Sequence, residues 1–447
     1  MSTSPTQQHQ KSRAKKAAFA AFIGTTIEWY DFYIYAFSVP IVFDVLFFPE
    51  GTDRLTAIAA GFAGTAVGFL ARPLGAVIFG HIGDRWGRRP ALVMTLTLMG
   101  TATFMIGVLP TYAAVGVAAP ILLVLLRLIQ GLAVGGEWGG AVLMSVEHAD
   151  QNKKTFYGSF TQLGNPAGAL MATSLLSLLV GVFGEDSFAD FGWRIPFLLS
   201  AVLVIVGFIV RQKVEESPVF KTETAAVQQQ NIRQKAPLIS ALHENWANML
   251  LGVGALPVAT GGYYLITTFA TTYATDPSVG HSETLILNAL SVASIVELGA
   301  TILFGWLGDK LGRKPVIIGG SIATALLGPP MFLGLGGDNV VLIFLLVAVL
   351  RLAMSATYGP MAAAMSQIFR PLSRYTSVSL TYQMAGAIFG GLIPIAATLS
   401  FQATASIWPT IGMLAAMCAL GAVCMGFAPQ RQDTPSQPTL RTGEATA

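Results

Sequence analysis

The sequence has little charge, two cysteines and five histidines. Charged residues make up 11% of its 447 residues and hydrophobic residues 53%, whereas soluble domains carry roughly 25% charged residues. That deficit excludes an ordinary soluble domain and predicts a chain embedded in a membrane. Cys418 and Cys424 lie in one apolar run at a spacing that places them on different faces of a helix, so we expect no disulfide.

The histidines stand singly, without the spacing of metal ligands, so the sequence predicts no metal site and no cofactor. The net charge of +3 gives no basis for a nucleic-acid partner. What the sequence has in abundance is long apolar segments.

Apolar runs long enough to cross a hydrocarbon core of ~30 Å occur about twelve times. The sequence therefore predicts an all-α polytopic membrane protein with twelve transmembrane helices. The predicted spans are 17–47, 55–80, 90–109, 117–147, 156–183, 193–211, 246–272, 283–307, 315–335, 339–367, 376–401 and 406–427.

Two landmarks repeat at half the length of the chain. The residues from Gly80 read GHIGDRWGRRP, and those from Gly305 read GWLGDKLGRKP, 225 positions later. Arg127 and Arg351 stand 224 positions apart, each inside a Leu-Arg-Leu triplet. Two landmarks in one register indicate duplicated halves, and thus two pseudo-symmetric bundles of six helices.

Lysine and arginine concentrate in alternate loops, and the opposite loops carry acids and, among bases, mainly Arg54. By the positive-inside rule, both termini and the central linker are predicted to be cytoplasmic. The basic start runs into a long apolar segment without a small-residue cleavage pattern, so it predicts a retained first helix. The predicted organisation is a tail (1–16), a first bundle (17–211), a linker (212–245), a second bundle (246–428) and a second tail (429–447).

Several charged residues fall inside the predicted helices, where each costs roughly 2.5–3.5 kcal/mol and is a functional candidate by default. Glu28 and Asp31 share one face of the first helix, with Tyr35 one turn further. The other acids and bases at membrane depth are Arg72, Arg127, Glu137, Glu297 and Arg351, and Gln130 lies on the same helix face as Glu137.

The acids at membrane depth outnumber the bases there by one. A carrier that binds a proton could use the additional acid as its proton site. Structural alternatives remain: Glu28 and Asp31 could hold the first helix to Arg72, Arg351 could reflect duplication alone, and the glycines around Glu137 could serve helix packing. Weaker substrate-binding candidates, which could equally serve only to join helices, are Tyr263, Tyr264, Tyr358, Gln162 and Gln383.

The repeated loop pattern G-x-x-x-D-[RK]-x-G-[RK]-[RK] resembles the signature of the major facilitator superfamily. The resemblance implies two six-helix bundles with a substrate site between them. It also implies a cytoplasmic latch, formed in the first half by Gly80, Asp84, Arg88 and Glu147, and in the second by Asp309 and Arg313. The tenth helix ends without an acid for Arg313, so the second latch is expected to be weaker or to rely on carbonyl contacts.

Other motifs are similar to those of the metabolite:proton symporter subfamily. They are Glu28-Trp-Tyr-Asp31 in the first helix, Arg72-Pro-Leu-Gly before the loop, and the stretch from Arg127 to Gly139. The resemblance implies a proton-driven importer in which Glu28 and Asp31 bind proton or substrate, Arg127 modulates the proton affinity of a nearby carboxylate, and Arg72 is a charge partner.

Osmolyte carriers of that subfamily often carry a long charged C-terminal extension able to form a coiled coil, whereas the tail here is short and without heptads. The resemblance therefore implies an organic acid, with shikimate-type carriers most similar, over the osmolytes proline and betaine. A membrane enzyme or a sensor is the alternative from another class, but no catalytic cluster and no large soluble domain is present in the sequence. We therefore expect a transporter and not an enzyme. Its expected partners are an organic acid, protons and the lipid bilayer, with the carrier working as a monomer in the cell membrane.

Overall fold

The computed structural model describes residues 5–86, 88–147, 149, 151–212, 237–369 and 374–430. Helices account for nearly all of them, and they group into twelve rods that we number α1 to α12. The rods of the first half are α1 (Pro5–Ser38), α2 (Arg54–Trp86), α3 (Arg88–Gly107), α4 (Ala118–Val134 and Glu137–Glu147), α5 (Lys154–Gln162 and Gly164–Ser187) and α6 (Arg194–Gln212).

The second half begins at Pro237. Its rods are α7 (Pro237–Ala255 followed by Val258–Gly262, Leu265–Phe269 and Ala270–Ala274), α8 (Glu283–Leu311), α9 (Arg313–Leu335), α10 (Val340–Tyr358 and Met361–Ile368), α11 (Arg374–Ala385, Gly386–Gly390 and Gly391–Thr404) and α12 (Trp408–Phe427). Short helical turns at Asp44–Leu46 and Tyr112–Val115, a 3₁₀ turn at Gln151–Lys153, and π-helical turns at Val39–Phe43 and Phe188–Gly192 complete the described elements.

Ten helices in the described part of the chain are long and apolar enough to cross a membrane. The apolar run of α3 is shorter, Val93–Gly107, and α1 carries Glu28 and Asp31 within its apolar stretch. α1 begins at Pro5 and α7 at Pro237, where helix-compatible polar residues extend each rod ahead of its predicted membrane span. The apolar span of α7 itself begins at Trp246, as predicted. Most of the predicted linker, 213–236, and the tail from 431 lie outside the described residues.

The breaks within helices follow glycine and proline. α4 is interrupted at Gly135 and α10 at Gly359-Pro360, which are equivalent positions in the repeat. α7 is interrupted at Pro257, where π-helical turns take over. Proline removes a backbone donor and glycine tolerates close approach, so these are the places where the rods bend.

Each half packs around its own helices and then against the other half. Within the first half α1 packs on α5 and α2 on α4; across the halves α5 packs on α8, and α2 on α11. The outer faces expose large apolar side chains, such as Val341 (78% exposed) and Phe427 (76%). Apolar surface on this scale fits a lipid environment, while the charged side chains at mid-depth turn inward.

Candidate functional site

The buried charges of the first half form a chain of hydrogen bonds across three helices. On α4, Arg127 Nη1 donates to Gln130 Oε1 at 2.9 Å. Gln130 Nε2 donates to the hydroxyl of Thr103 on α3 at 2.5 Å, and that hydroxyl donates to Asp31 Oδ2 on α1 at 2.9 Å. All four residues are fully buried. The predicted candidates Asp31, Arg127 and Gln130 are thus brought together, and Thr103 joins them.

Two guanidinium groups of this half are covered by aromatic rings. The Arg127 Cζ lies 4.0 Å from the centre of the Tyr35 ring and 4.6 Å from that of Phe32. The Arg72 Cζ lies 4.2 Å from Phe32 and 4.1 Å from Phe69. Such cation–π contacts hold a guanidinium in place without using its N–H donors.

Those donors are only partly used. Nε and Nη2 of Arg72, and Nε and Nη2 of Arg127, have no hydrogen-bond partner among the described residues. Both side chains are almost completely buried. A buried donor without a partner costs free energy, so these four nitrogens are a place where a bound anion would stabilise the protein.

Close packing of α2 on α4 fixes the position of the two arginines. A Cβ atom added to Gly131 would overlap the Gly68 carbonyl, and one added to Gly135 would overlap the carbonyl of Arg72. The backbones therefore touch at these glycines, as they do where small residues join membrane helices.

The remaining predicted acids of this half are Glu28 on α1 and Glu137 on α4, which are 2% and 1% exposed. Tyr264, from α7 of the other half, lies within electrostatic range of Glu28, Arg72 and Arg127. The structure thus gathers most of the predicted first-half candidates on the side of the bundle that faces the second half.

The second half holds its charges in a closed pair. Arg351 Nε on α10 donates to Glu297 Oε2 on α8 at 2.7 Å, and Arg351 Nη2 contacts the same oxygen and the hydroxyl of Tyr263. Tyr263 on α7 also donates to Glu297 at 3.3 Å, and its ring lies 4.0 Å from the Arg351 Cζ. Only Nη1 of this guanidinium lacks a partner among the described residues.

Aromatic and amide side chains join the two clusters across the interface between the halves. The Tyr33 ring on α1 lies 5.7 Å from Tyr263 and 5.9 Å from Tyr264. The Tyr33 hydroxyl donates to Asn165 Oδ1 at 2.9 Å, and Asn165 lies 3.4 Å from the Tyr358 hydroxyl. Tyr263, Tyr264 and Tyr358, candidates from the sequence, therefore meet at the centre with two residues that the sequence analysis missed.

The glutamine candidates Gln162 and Gln383 bridge the halves nearer one end. Gln162 accepts from Trp138 Nε1 at 3.3 Å and donates to the Tyr358 carbonyl at 3.2 Å. Gln383 donates to the Gly135 carbonyl at 3.1 Å. These side-chain donors are used within the protein in this conformation.

The second loop of the repeat contacts the first half directly. Asp309 accepts from the backbone N–H groups of Thr155 and Phe156 at 3.0 and 2.9 Å, at the start of α5. Amides at a helix start carry partial positive charge, so they favour a carboxylate. The turn itself needs Gly312, whose φ of +91° few other residues adopt.

Because the tenth helix ends without an acid, Arg313 contacts a hydroxyl and a carbonyl oxygen instead. It donates to the Thr155 hydroxyl at 2.8 Å and to the Ala363 carbonyl at 3.4 Å. We call the contacts of Asp309 and Arg313 the loop latch. The first-half counterpart cannot be compared with it, because the side chains of Asp84, Arg88 and Glu147 lie outside the described residues; Gly80 is within α2.

The opposite end is also closed by contacts between the halves. Arg54 pairs with Asp44 at 3.5 Å and donates to the Thr275 hydroxyl of the second half at 3.1 Å. Gln402 of the second half donates to Asp53 at 2.8 Å. Contacts between the halves are thus present at both ends of the described structure, with the buried charges between them. In the described chain, no group of three or more His, Cys, Asp or Glu side chains is placed to hold a metal ion.

Thr103, Tyr33, Asn165, Phe32 and Phe69 are site residues that sequence reasoning missed. Asn165 carried a signal, since it is an amide inside an apolar run, between Gly164 and Pro166. Thr103 carried none, because threonine is common in membrane helices and its role depends on partners from two other helices.

Comparison with known proteins matches the model of the Major Facilitator Superfamily over residues 21–394 and again over 251–444. The shikimate transporter of Escherichia coli (strain K12) is 37% identical over 414 residues, covering 92% of this chain and 94% of that protein. The proline/betaine transporter of Salmonella typhimurium is 32% identical over 387 residues, covering 86% of this chain and 77% of that protein.

Among solved structures, the D-xylose-proton symporter superposes with a TM-score of 0.69 at 20% identity, covering 94% of this chain and 98% of that one. A likeness at this identity concerns the fold, which in that structure has twelve helices in two bundles. The predicted all-α, two-bundle fold class is confirmed.

Proposed function

Because this chain belongs to the Major Facilitator Superfamily, we propose that it imports a small organic acid, shikimate-like or another carboxylate, together with a proton by alternating access. The resemblance noted in its motifs is confirmed by the same matches, as is the expectation of a metabolite transporter and not an enzyme. The chain is a multi-pass membrane protein.

One observation supports an anionic substrate above the others. Arg72 and Arg127 are buried side by side in the half-to-half interface, and four of their nitrogens lack partners among the described residues. A carboxylate offers two oxygens that can accept charge-assisted hydrogen bonds from such donors. The aromatic rings that cover the guanidinium faces leave the N–H edges as the route of contact, and suit a ring-bearing acid.

Asp31 is our choice for the proton site among Glu28, Asp31, Glu137 and Glu297. Hydrogen bonds connect it through Thr103 and Gln130 to Arg127, and the side chain is fully buried. Glu297, in contrast, is already neutralised by Arg351. Protonation of Asp31 would remove a buried charge and leave Arg127 available to an anion.

In the proposed cycle, the halves rock about the central site and the contacts at the two ends break in turn. The loop latch would close the cytoplasmic side, and the Arg54 contacts would close the other. In this proposal both termini are cytoplasmic, as the distribution of basic residues indicates. Each chain acts as a monomer in the cell membrane. Its two bundles, 17–211 and 246–428, are the parts that move.

A zwitterionic osmolyte is the second candidate, and the 32% identity to a proline/betaine transporter favours it. A zwitterion would bring an ammonium or quaternary amine that needs a carboxylate or an aromatic face. Tyr33, Tyr263 and Tyr264 could supply such faces, so the substrate must be settled by transport.

The test is uptake into proteoliposomes containing the purified protein, with an imposed inward proton gradient. The panel is shikimate, a dicarboxylate, benzoate, proline and betaine. We expect accumulation of an acid that stops when a protonophore collapses the gradient. Arg127→Gln should abolish it, because the anion loses its donors.

Arg194→Gln is the matched control, since Arg194 donates to the backbone carbonyls of Gly107 and Leu109, away from the site. It should retain uptake. Accumulation of proline or betaine alone would move the substrate to the osmolyte class. Acid uptake that continues after the gradient has collapsed would rule out the proton coupling.

A further inference from the structure

The hydrogen bonds between Arg127 and Asp31 all run in one direction. Arg127 donates to Gln130, Gln130 donates to Thr103, and Thr103 donates to Asp31, at 2.9, 2.5 and 2.9 Å. The Gln130 amide turns its oxygen toward the Arg127 cation, so its NH2 group faces Thr103. The Thr103 hydroxyl accepts from that group and donates its own proton to Asp31. The chain therefore spans α4, α3 and α1 and ends on an acceptor.

We propose that Thr103 and Gln130 are positioning residues that relay the charge state of Asp31 to Arg127, and so set the affinity of Arg127 for the substrate carboxylate. This inference rests on the proposed function. It assigns a role to Thr103 and changes the role of Gln130 from substrate contact to coupling.

The Thr103 hydroxyl has two possible acceptors and one proton. Besides Asp31, its oxygen lies 3.0 Å from the Met99 carbonyl, one helical turn earlier on α3. With Asp31 ionised, the charged acceptor is preferred. With Asp31 protonated that preference is lost, and the hydroxyl can donate to Met99 while still accepting from Gln130.

That change reaches Arg127 through Gln130. An ionised Asp31 polarises each bond of the chain and partly balances the charge of Arg127. When Asp31 is neutral, Arg127 carries an unbalanced buried charge, and its free Nε and Nη2 atoms would bind an anion more strongly. By linkage, the anion at Arg127 would favour the proton on Asp31 to the same extent.

The groups around the hydrogen bonds from Arg127 to Asp31 are largely uncharged or belong to the candidate site. Arg127 on α4 acts electrostatically on Asp31, and Asp31 acts in turn on Tyr30 of α1. Tyr35, Tyr264 on α7 and Arg72 act electrostatically on Arg127. On the neighbouring faces of α1, Tyr30 donates to the Pro196 carbonyl of α6 and Tyr33 to Asn165 of α5. Glu28 on α1 and Glu137 on α4 are the acids nearest in sequence.

The experiment measures the KM for uptake of the transported acid, with shikimate as the first probe, at several pH values between about 5.5 and 8.5. Coupling free energies of this kind typically correspond to 5–150-fold changes in affinity. For wild type, we expect KM to rise at least fivefold from the lowest to the highest pH. In Thr103→Val the ratio should fall toward one, because the shape is kept while the relay is cut.

Three further variants separate coupling from structure. Thr103→Ser keeps the hydroxyl and should keep the KM ratio. Gln130→Met breaks the same relay at another link and should lower the ratio, and the double variant should do no more than either alone. Thr97→Val is the matched control on α3, because Thr97 is exposed and donates only to the Val93 carbonyl.

A Thr103→Val protein with lowered maximal rate but an unchanged KM ratio would overturn the relay and leave the proposed function intact. The same holds if Thr103→Ser behaves like Thr103→Val. A wild type that takes up no carboxylate would instead overturn the proposed function, and the relay with it.

Discussion

Arg127 and Arg351 occupy equivalent positions of the two halves and have opposite surroundings. Arg351 lies on Glu297 and Tyr263, and one of its nitrogens lacks a partner in the described structure. Arg127 is linked to Asp31 through two neutral side chains, and two of its nitrogens lack partners among the described residues. The same residue stands at both positions, and the side chains of the neighbouring helices determine how many of its donors are used.

The difference suggests a division of labour. A buried pair with good geometry is stable in itself and has little to gain from a ligand. An arginine with unused donors gains free energy when an anion arrives. The first half is therefore proposed to bind and couple, while the second half supplies a rigid partner surface.

The largest effect should come from removing the open arginine. Arg127→Gln takes away charge-assisted donors, each worth about 1.5–3 kcal/mol, so acid uptake should fall by at least about 100-fold. The thermal unfolding midpoint should change little. Initial uptake rates and unfolding curves on the same preparation measure both, and uptake within tenfold of wild type would remove Arg127 from the site.

Breaking the Glu297–Arg351 pair should lower the stability of the protein. Glu297→Leu leaves Arg351 buried without its partner, which typically costs about 3–5 kcal/mol. The double variant Glu297→Leu/Arg351→Met should recover most of that loss, because replacing both members of a buried pair is often nearly neutral. Thermal unfolding in detergent measures the two. A double variant with wild-type stability but no proton-driven uptake would move the proton site to the second half.

Asp31→Asn should separate accumulation from exchange. If Asp31 carries the one coupled proton, a pH difference of one unit contributes tenfold to accumulation, or about 1.4 kcal/mol. The variant should lose that factor and still exchange labelled for unlabelled substrate. Asp338→Asn, at an exposed acid, is the control. Accumulation by Asp31→Asn equal to that of wild type would point to Glu28 or Glu137 as the proton site.

The smallest predicted effect concerns the loop latch between the two halves. Asp309→Asn removes the negative charge from the helix start of α5, a contact worth about 0.3–2 kcal/mol. The latched state should lose population, so a cysteine placed at buried Ser159, beside Gly305, should react with a thiol reagent up to severalfold faster. Unchanged reactivity would mean that other contacts hold this end closed.

Much of the fold followed from the sequence, because membrane helices are encoded locally by apolar length and by a repeated loop. The buried charged residues were found for the same reason, since each is out of place in its own segment. For Arg313, whose equivalent acid is missing, the sequence left open a weaker latch or carbonyl contacts, and Arg313 contacts the carbonyl of Ala363.

Pairings were harder, because they depend on how distant helices rotate against each other. Glu297 and Arg351 lie 54 residues apart and share no local pattern. The sequence could not distinguish an arginine that is paired from one that is open. Thr103 was invisible for the same reason, since its importance comes entirely from Asp31 and Gln130.

The backbone contact between α2 and α4 at Gly68, Gly131 and Gly135 has a consequence for selectivity. Because no side chain separates these helices, the main-chain positions from which Arg72 and Arg127 reach the site are held at a fixed spacing. That spacing would limit the size of the acidic group that can contact both arginines at once.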